Sequence, residues 1–177
     1  MTLTLRPYQN DLRAAVYGAW QAGHRNVLGV LPCGGGKTAI FSTIIADHTC
    51  ATVAIAHRSE LVSQMSVALA RNGVRHRVIG PQALVRSVNQ CQLIALGVSY
   101  YDPSARCAVA SVDTLINRDE SDPWFRNVGL WVTDEVHHLL TDNKWGAAVS
   151  MFPNARGLGV TATPMRADGK GLGRHAD

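Results

Sequence analysis

The sequence is short of several things at once. Only 6% of its 177 residues are aromatic, four are cysteines and three of its 17 basic residues are lysines. The cysteines (Cys33, Cys50, Cys91, Cys107) form no CxxC pair and no Cys/His spacing suited to zinc, so they read as small core residues and one loop residue in a reducing compartment. No apolar run is longer than Cys50 to Ala56, far below what a bilayer requires. The start, MTLTLRPYQND, lacks the basic segment and apolar run of a secretory signal. A cytoplasmic protein with no membrane partner is the expectation.

What is present fits one globular domain: 46% apolar residues, 17% charged residues and a length that supports a single covered core. The net charge of +4, carried mostly by arginine, permits a polyanionic partner without requiring one.

Pro7 followed by Leu12, Val16, Ala19 and Trp20 at three-to-four spacing predicts an amphipathic helix from about Pro7 to Gln21, ended by Gly23. Strands are expected at Asn26 to Leu31, Thr52 to Ala56, Cys107 to Ala110, Leu130 to Thr133 and Arg156 to Val160, with a weak one at Arg77 to Ile79. Helices are expected at Thr38 to Asp47, Glu60 to Arg71, Leu84 to Leu96, Val112 to Asn117 and Lys144 to Met151. The SYYDP segment before the third of these strands reads as a loop anchored by Tyr100 and Tyr101. Short apolar strands alternating with helices predict an α/β fold, a parallel sheet covered on both faces by right-handed crossovers. Ligands in such sheets bind beyond the carboxyl ends of the strands.

Two motifs fall at those ends. Pro32, Cys33, Gly34, Gly35, Gly36, Lys37 and Thr38 lie between a predicted strand and a predicted helix, as a phosphate-binding loop does. Glycines let backbone N–H groups turn around an anion, and the helix start adds its dipole. Lys37 is placed to reach the β and γ phosphates, and Thr38 to offer its hydroxyl to Mg²⁺. The general pattern has glycine where Leu31 stands. The second motif is Asp134, Glu135, Val136, His137 after the LWVT strand. One carboxylate at a strand end can hold Mg²⁺ and its neighbour can orient and deprotonate a water, a division suited to hydrolysis. Adjacent His137 and His138 cannot present both rings from one face, and HExxH is absent, which argues against a metal pair there. The reading requires Lys37 and Asp134 to converge on one triphosphate.

With these motifs in this order, the chain resembles the first RecA-like lobe of a superfamily 2 helicase or translocase of the DExH type. It is most similar to the bacterial and phage group that includes type III restriction subunits. The resemblance implies a three-layer P-loop NTPase domain over residues 1–165, with 166–177 as an inter-lobe linker or tail. Arg6, Pro7, Tyr8 and Gln9 resemble the Q motif, in which Arg6 and Gln9 would read adenine. LPCGGGKT matches motif I as that superfamily writes it, with the first glycine commonly replaced. Ala56 to Leu61, with Arg58 and Ser59, is similar to motif Ia, and Ser111 to Leu115, with Thr114, to motif Ib. Both imply contacts to the sugar-phosphate backbone of one strand. DEVH matches motif II, and Thr161, Ala162, Thr163, Pro164 match motif III, with His137 as the contact between them.

The resemblance therefore implies an ATPase using ATP and Mg²⁺, with Lys37, Asp134, Glu135 and His137 in catalytic roles and nucleic acid, DNA ahead of RNA, as partner. It also implies a second RecA-like lobe whose arginine finger is worth roughly three to five powers of ten in rate. Without that lobe, nucleotide binding with poor hydrolysis is expected. Two other readings remain open: a non-catalytic module that keeps the fold to bind nucleic acid or protein, and a small P-loop kinase. Glu135 and the lack of an acceptor-binding lid in the sequence argue against the kinase.

Overall fold

A computed structural model of the chain describes residues 4–134 and 144–162. The elements run α1 (Pro7–Gln21), β1 (Asn26–Val30), α2 (Lys37–Asp47), β2 (Ala51–Ala56), α3 (Ser59–Arg71), β3 (His76–Ile79), α4 (Gln82–Leu96), β4 (Cys107–Ser111), α5 (Val112–Leu115), α6 (Pro123–Asn127), β5 (Val128–Asp134), α7 (Lys144–Ser150) and β6 (Arg156–Thr161). The six strands form one sheet in the order β1-β6-β5-β2-β4-β3, every neighbouring pair parallel.

The continuous apolar run ATVAIA becomes the interior strand β2, buried at all six positions because helices cover both faces. Its side chains alternate between two cores. Ala54 and Ala56 join α1 to α4 around Trp20, Phe41 and Leu69, while Val53 and Ile55 join α5 to α7 around Trp124, Phe125, Trp145 and Phe152. Gly157 is required by close approach, since a Cβ there would collide with the Trp131 ring and Asn26 Oδ1.

The predicted elements are all present, with ends moved by one or two residues and α5 stopping at Leu115. Helix α6 has no counterpart among the expected elements. This five-residue helix is too short for periodicity to register, and is set by Asp122, whose Oδ1 accepts the Trp124 N–H at 2.8 Å.

The sheet edge at β3 is fixed by a buried polar network. His76 is fully buried; its Nδ1 meets Val74 O at 2.8 Å, so that nitrogen carries the proton, and its Nε2 accepts from Ser66 Oγ at 2.7 Å. Gln92 Nε2 donates to Ser66 Oγ at 2.7 Å, while Gln92 Oε1 accepts the backbone N–H of Tyr100. Burial pushes the His76 imidazole below its ordinary pKa, so the ring is neutral. Tyr100 and Tyr101 are half-buried in the anchoring segment.

Candidate functional site

The carboxyl ends of five strands gather the candidate residues in a row. Val30 lies opposite Thr161, Asp134 opposite Val160, Ile55 opposite Thr133, and Ala56 opposite Ser111. Crossing the sheet, the glycine-rich loop therefore comes first, then β6 and Asp134, then the residues after β2 and β4.

The loop itself is shaped by its glycines. Gly34 and Gly36 have φ of +76° and +78°, a region that side-chain-bearing residues enter only at a cost. A Cβ on Gly35 would lie 2.9 Å from Pro32 O, which accepts the Gly35 N–H at 2.9 Å. Pro32, Cys33 and Gly34 are exposed, whereas Leu31, the departure from the general glycine pattern, is buried and donates its N–H to Thr161 O at 2.9 Å. Gly36 starts α2 with no capping side chain, leaving the first-turn amides of Lys37 and Thr38 directed out of the helix end.

Lys37 Nζ and Asp134 Oδ1 stand 4.0 Å apart, with 18% and 12% of their side chains exposed. The two groups expected to share one triphosphate are thus brought together from β5 and the start of α2. A magnesium ion suits this donor set, because one carboxylate, the Thr38 hydroxyl, phosphate oxygens and waters make a usual environment for that cation. Among the described residues no group of three His, Cys, Asp or Glu side chains gathers to hold a metal without such help.

Gln9, read from sequence as an adenine contact, is buried. Its Nε2 donates to Gly35 O at 2.9 Å, and its Oε1 accepts the Arg6 N–H at 2.8 Å. Tyr8, which the sequence reading did not single out, donates its hydroxyl to the same Gly35 carbonyl at 3.0 Å. The start of α1 therefore braces the glycine-rich loop, while Arg6 is exposed. Only the adjacency of Tyr8 to Gln9 could have signalled this. A cavity of about 680 Å³ begins at Gly36 and Thr38 and continues along α3 to Arg71, mostly outside the loop.

At the other end of the row, Arg58 and Ser59 are exposed at the start of α3, and Arg58 Nε donates to His57 Nε2 at 3.1 Å. Ser111 and Thr114 are half-buried at the β4–α5 junction. The His57 ring packs edge-on to Trp145 at 6.0 Å, and Lys144 Nζ pairs with Asp113 Oδ1 at 2.8 Å, so α7 touches both segments. Thr161 is buried at the end of β6. Glu135, His137 and Thr163, together with the 166–177 tail, lie outside the described residues.

A family profile described as "Type III restriction enzyme, res subunit" matches residues 2–166. The chain is 32% identical, over 96% of its length and 28% of the relative's, to a Schizosaccharomyces pombe protein provisionally named mitochondrial ATP-dependent helicase irc3. It is 27% identical, over 90% of its length and 32% of the relative's, to a protein of Sulfurisphaera tokodaii named DNA 3'-5' translocase XPB2. The chain thus spans about a third or less of these relatives. The crystal structure of the UvsW helicase from bacteriophage T4 shares the fold with a TM-score of 0.62 at 16% identity, over 92% of this chain and 54% of that one.

Proposed function

The chain belongs to the type III restriction enzyme res-subunit family, and from that premise we propose that it is the ATP-binding lobe of a Mg²⁺-dependent motor on nucleic acid. The observation that carries the reading is the 4.0 Å approach of Lys37 to Asp134 at the same sheet edge that bears Arg58 and Ser111. DNA is the favoured track, in keeping with the name of the Sulfurisphaera tokodaii relative.

The triphosphate lies along the loop, its oxygens accepting from the amides of Gly34, Gly36, Lys37 and Thr38, with Lys37 turning from Asp134 onto the β and γ phosphates. Thr38 and Asp134 would hold the metal. When bound, magnesium neutralises charge on the β and γ oxygens. Glu135 is assigned to orient the attacking water and take its proton, and His137 to couple motif II to the motif III threonines, Thr161 and Thr163. Arg6 and Gln9 read the adenine; Gln9 does so by exchanging its bond to Gly35 O for one to the base, which joins base recognition to release of the loop. Arg58, Ser59, Ser111 and Thr114 contact the sugar-phosphate backbone of one strand without reading sequence. A second lobe supplies the remaining positive charge at the γ phosphate and the other half of the track, so this lobe alone binds nucleotide better than it hydrolyses it.

ATP titration with and without Mg²⁺ tests the reading. Wild-type chain should show metal-dependent binding that Lys37→Ala removes, and Glu135→Gln should keep binding while abolishing phosphate release. Binding that ignores both Mg²⁺ and Lys37 would leave a non-catalytic module with the same fold.

A further inference from the structure

The peptide joining Gly35 to Gly36 has its orientation set from outside the loop. Its carbonyl oxygen accepts from Tyr8 Oη at 3.0 Å and from Gln9 Nε2 at 2.9 Å, adjacent residues in the first turn of α1. Carbonyl and N–H point in opposite directions across a trans peptide, so holding the Gly35 oxygen against α1 turns the Gly36 N–H away from α1. Among the described residues that N–H has no acceptor, and it precedes the first-turn amides of Lys37 and Thr38. The preceding peptide is fixed separately, through the Gly35 N–H on Pro32 O at 2.9 Å.

Nothing in the two glycines themselves opposes the reverse orientation. Turning this peptide over changes only the Gly35 ψ and the Gly36 φ, and neither residue has a Cβ to obstruct it. The flipped peptide would present the Gly35 carbonyl oxygen where the Gly36 N–H stands, setting a partial negative charge against a phosphate. The two donors on α1 decide between these states. Gln9 is the donor assigned above to the adenine, so it leaves Gly35 O when a base is bound. Tyr8 remains. Its ring is 41% exposed and belongs to neither apolar core, so what it brings to the site is the hydroxyl.

We infer that Tyr8 is a positioning residue for the triphosphate: its hydroxyl keeps the Gly36 N–H towards the anion while Gln9 is engaged at the adenine. This role rests on the nucleotide reading above, and it divides two adjacent side chains of α1 between base and loop. The importance of the hydroxyl then depends on the ligand. With inorganic tripolyphosphate, which has no base, Gln9 stays on Gly35 O and Tyr8 is dispensable. With ATP, Tyr8 is the donor left to hold the peptide.

The test is calorimetric titration of the full chain with Mg²⁺-ATP and with Mg²⁺-tripolyphosphate. Tyr8→Phe removes the hydroxyl and keeps the ring. It should weaken ATP binding about three- to tenfold, the usual contribution of a hydrogen bond to a carbonyl, and leave tripolyphosphate binding as in the wild type. Tyr8→Phe combined with Gln9→Ala leaves Gly35 O with neither donor and should weaken tripolyphosphate binding as well. Unchanged ATP affinity in Tyr8→Phe, or equal loss of both ligands, as a merely structural brace would give, overturns the inference; ATP binding that still depends on Lys37 then leaves the nucleotide reading standing. Failure of the wild type to bind Mg²⁺-ATP would overturn both.

Discussion

Replacing Lys37 by Met and Asp134 by Asn, singly and together, measures whether the two sides of the site interact. At 4.0 Å the attraction of two unit charges is about 1 kcal/mol in water and about 4 kcal/mol at the effective dielectric of a pair near a protein surface. With less than a fifth of either side chain exposed, the coupling should fall between these limits, about 1–3 kcal/mol. Asp134 makes a further interaction of its own, so a single substitution would mix several effects. The double-mutant cycle cancels them. Urea denaturation without nucleotide gives the four stabilities, and a coupling below about 0.3 kcal/mol would refute the shared site. Mg²⁺-ATP at a hundredfold excess over its dissociation constant should then stabilise the wild type by about 2.7 kcal/mol and neither single variant comparably.

Gly36→Ala should abolish Mg²⁺-ATP binding in the same titration, because it forces a left-handed residue and drives a methyl into the Gln9 amide; the backbone strain alone costs about 1–2 kcal/mol and should appear as a lower Tm. Gly157→Ala should destabilise the sheet by about 1–3 kcal/mol in urea, since the buried Trp131 ring and the Asn26 side chain must both shift. His76 gives a pH dependence. Its folded pKa is lowered by burial, so the unfolded chain binds more protons below about pH 6.5, and the stability is complete above that pH and lost as pH falls through the folded value. Urea melts from about pH 7.5 to 5.5 should show this slope, up to about 1.4 kcal/mol per pH unit, and His76→Gln should flatten it.

Where local pattern decides structure, the sequence was readable. Pro7 fixes the first turn of α1, and the apolar run of β2 announces a strand covered on both faces. The glycine cluster between β1 and α2, and the acid at the end of β5, were legible as positions because ligands in a parallel sheet bind beyond the carboxyl ends of its strands. Long-range partners were not. Nothing near Gln9 in sequence reveals that its amide closes on Gly35, and nothing near His76 reveals Ser66 and Gln92 around it. Helix α6 escaped because a single capping aspartate, rather than a repeating apolar face, holds it.

On the proposed reading the row of residues along the carboxyl ends carries the chemistry, away from the opposite rim of the sheet. The turns there, such as the exposed one at Gly73 with open space around it, join a helix to the next strand. That division makes the lower rim the natural place for a fluorophore, an affinity handle or an inserted loop, and lets a probe follow the working edge without touching it.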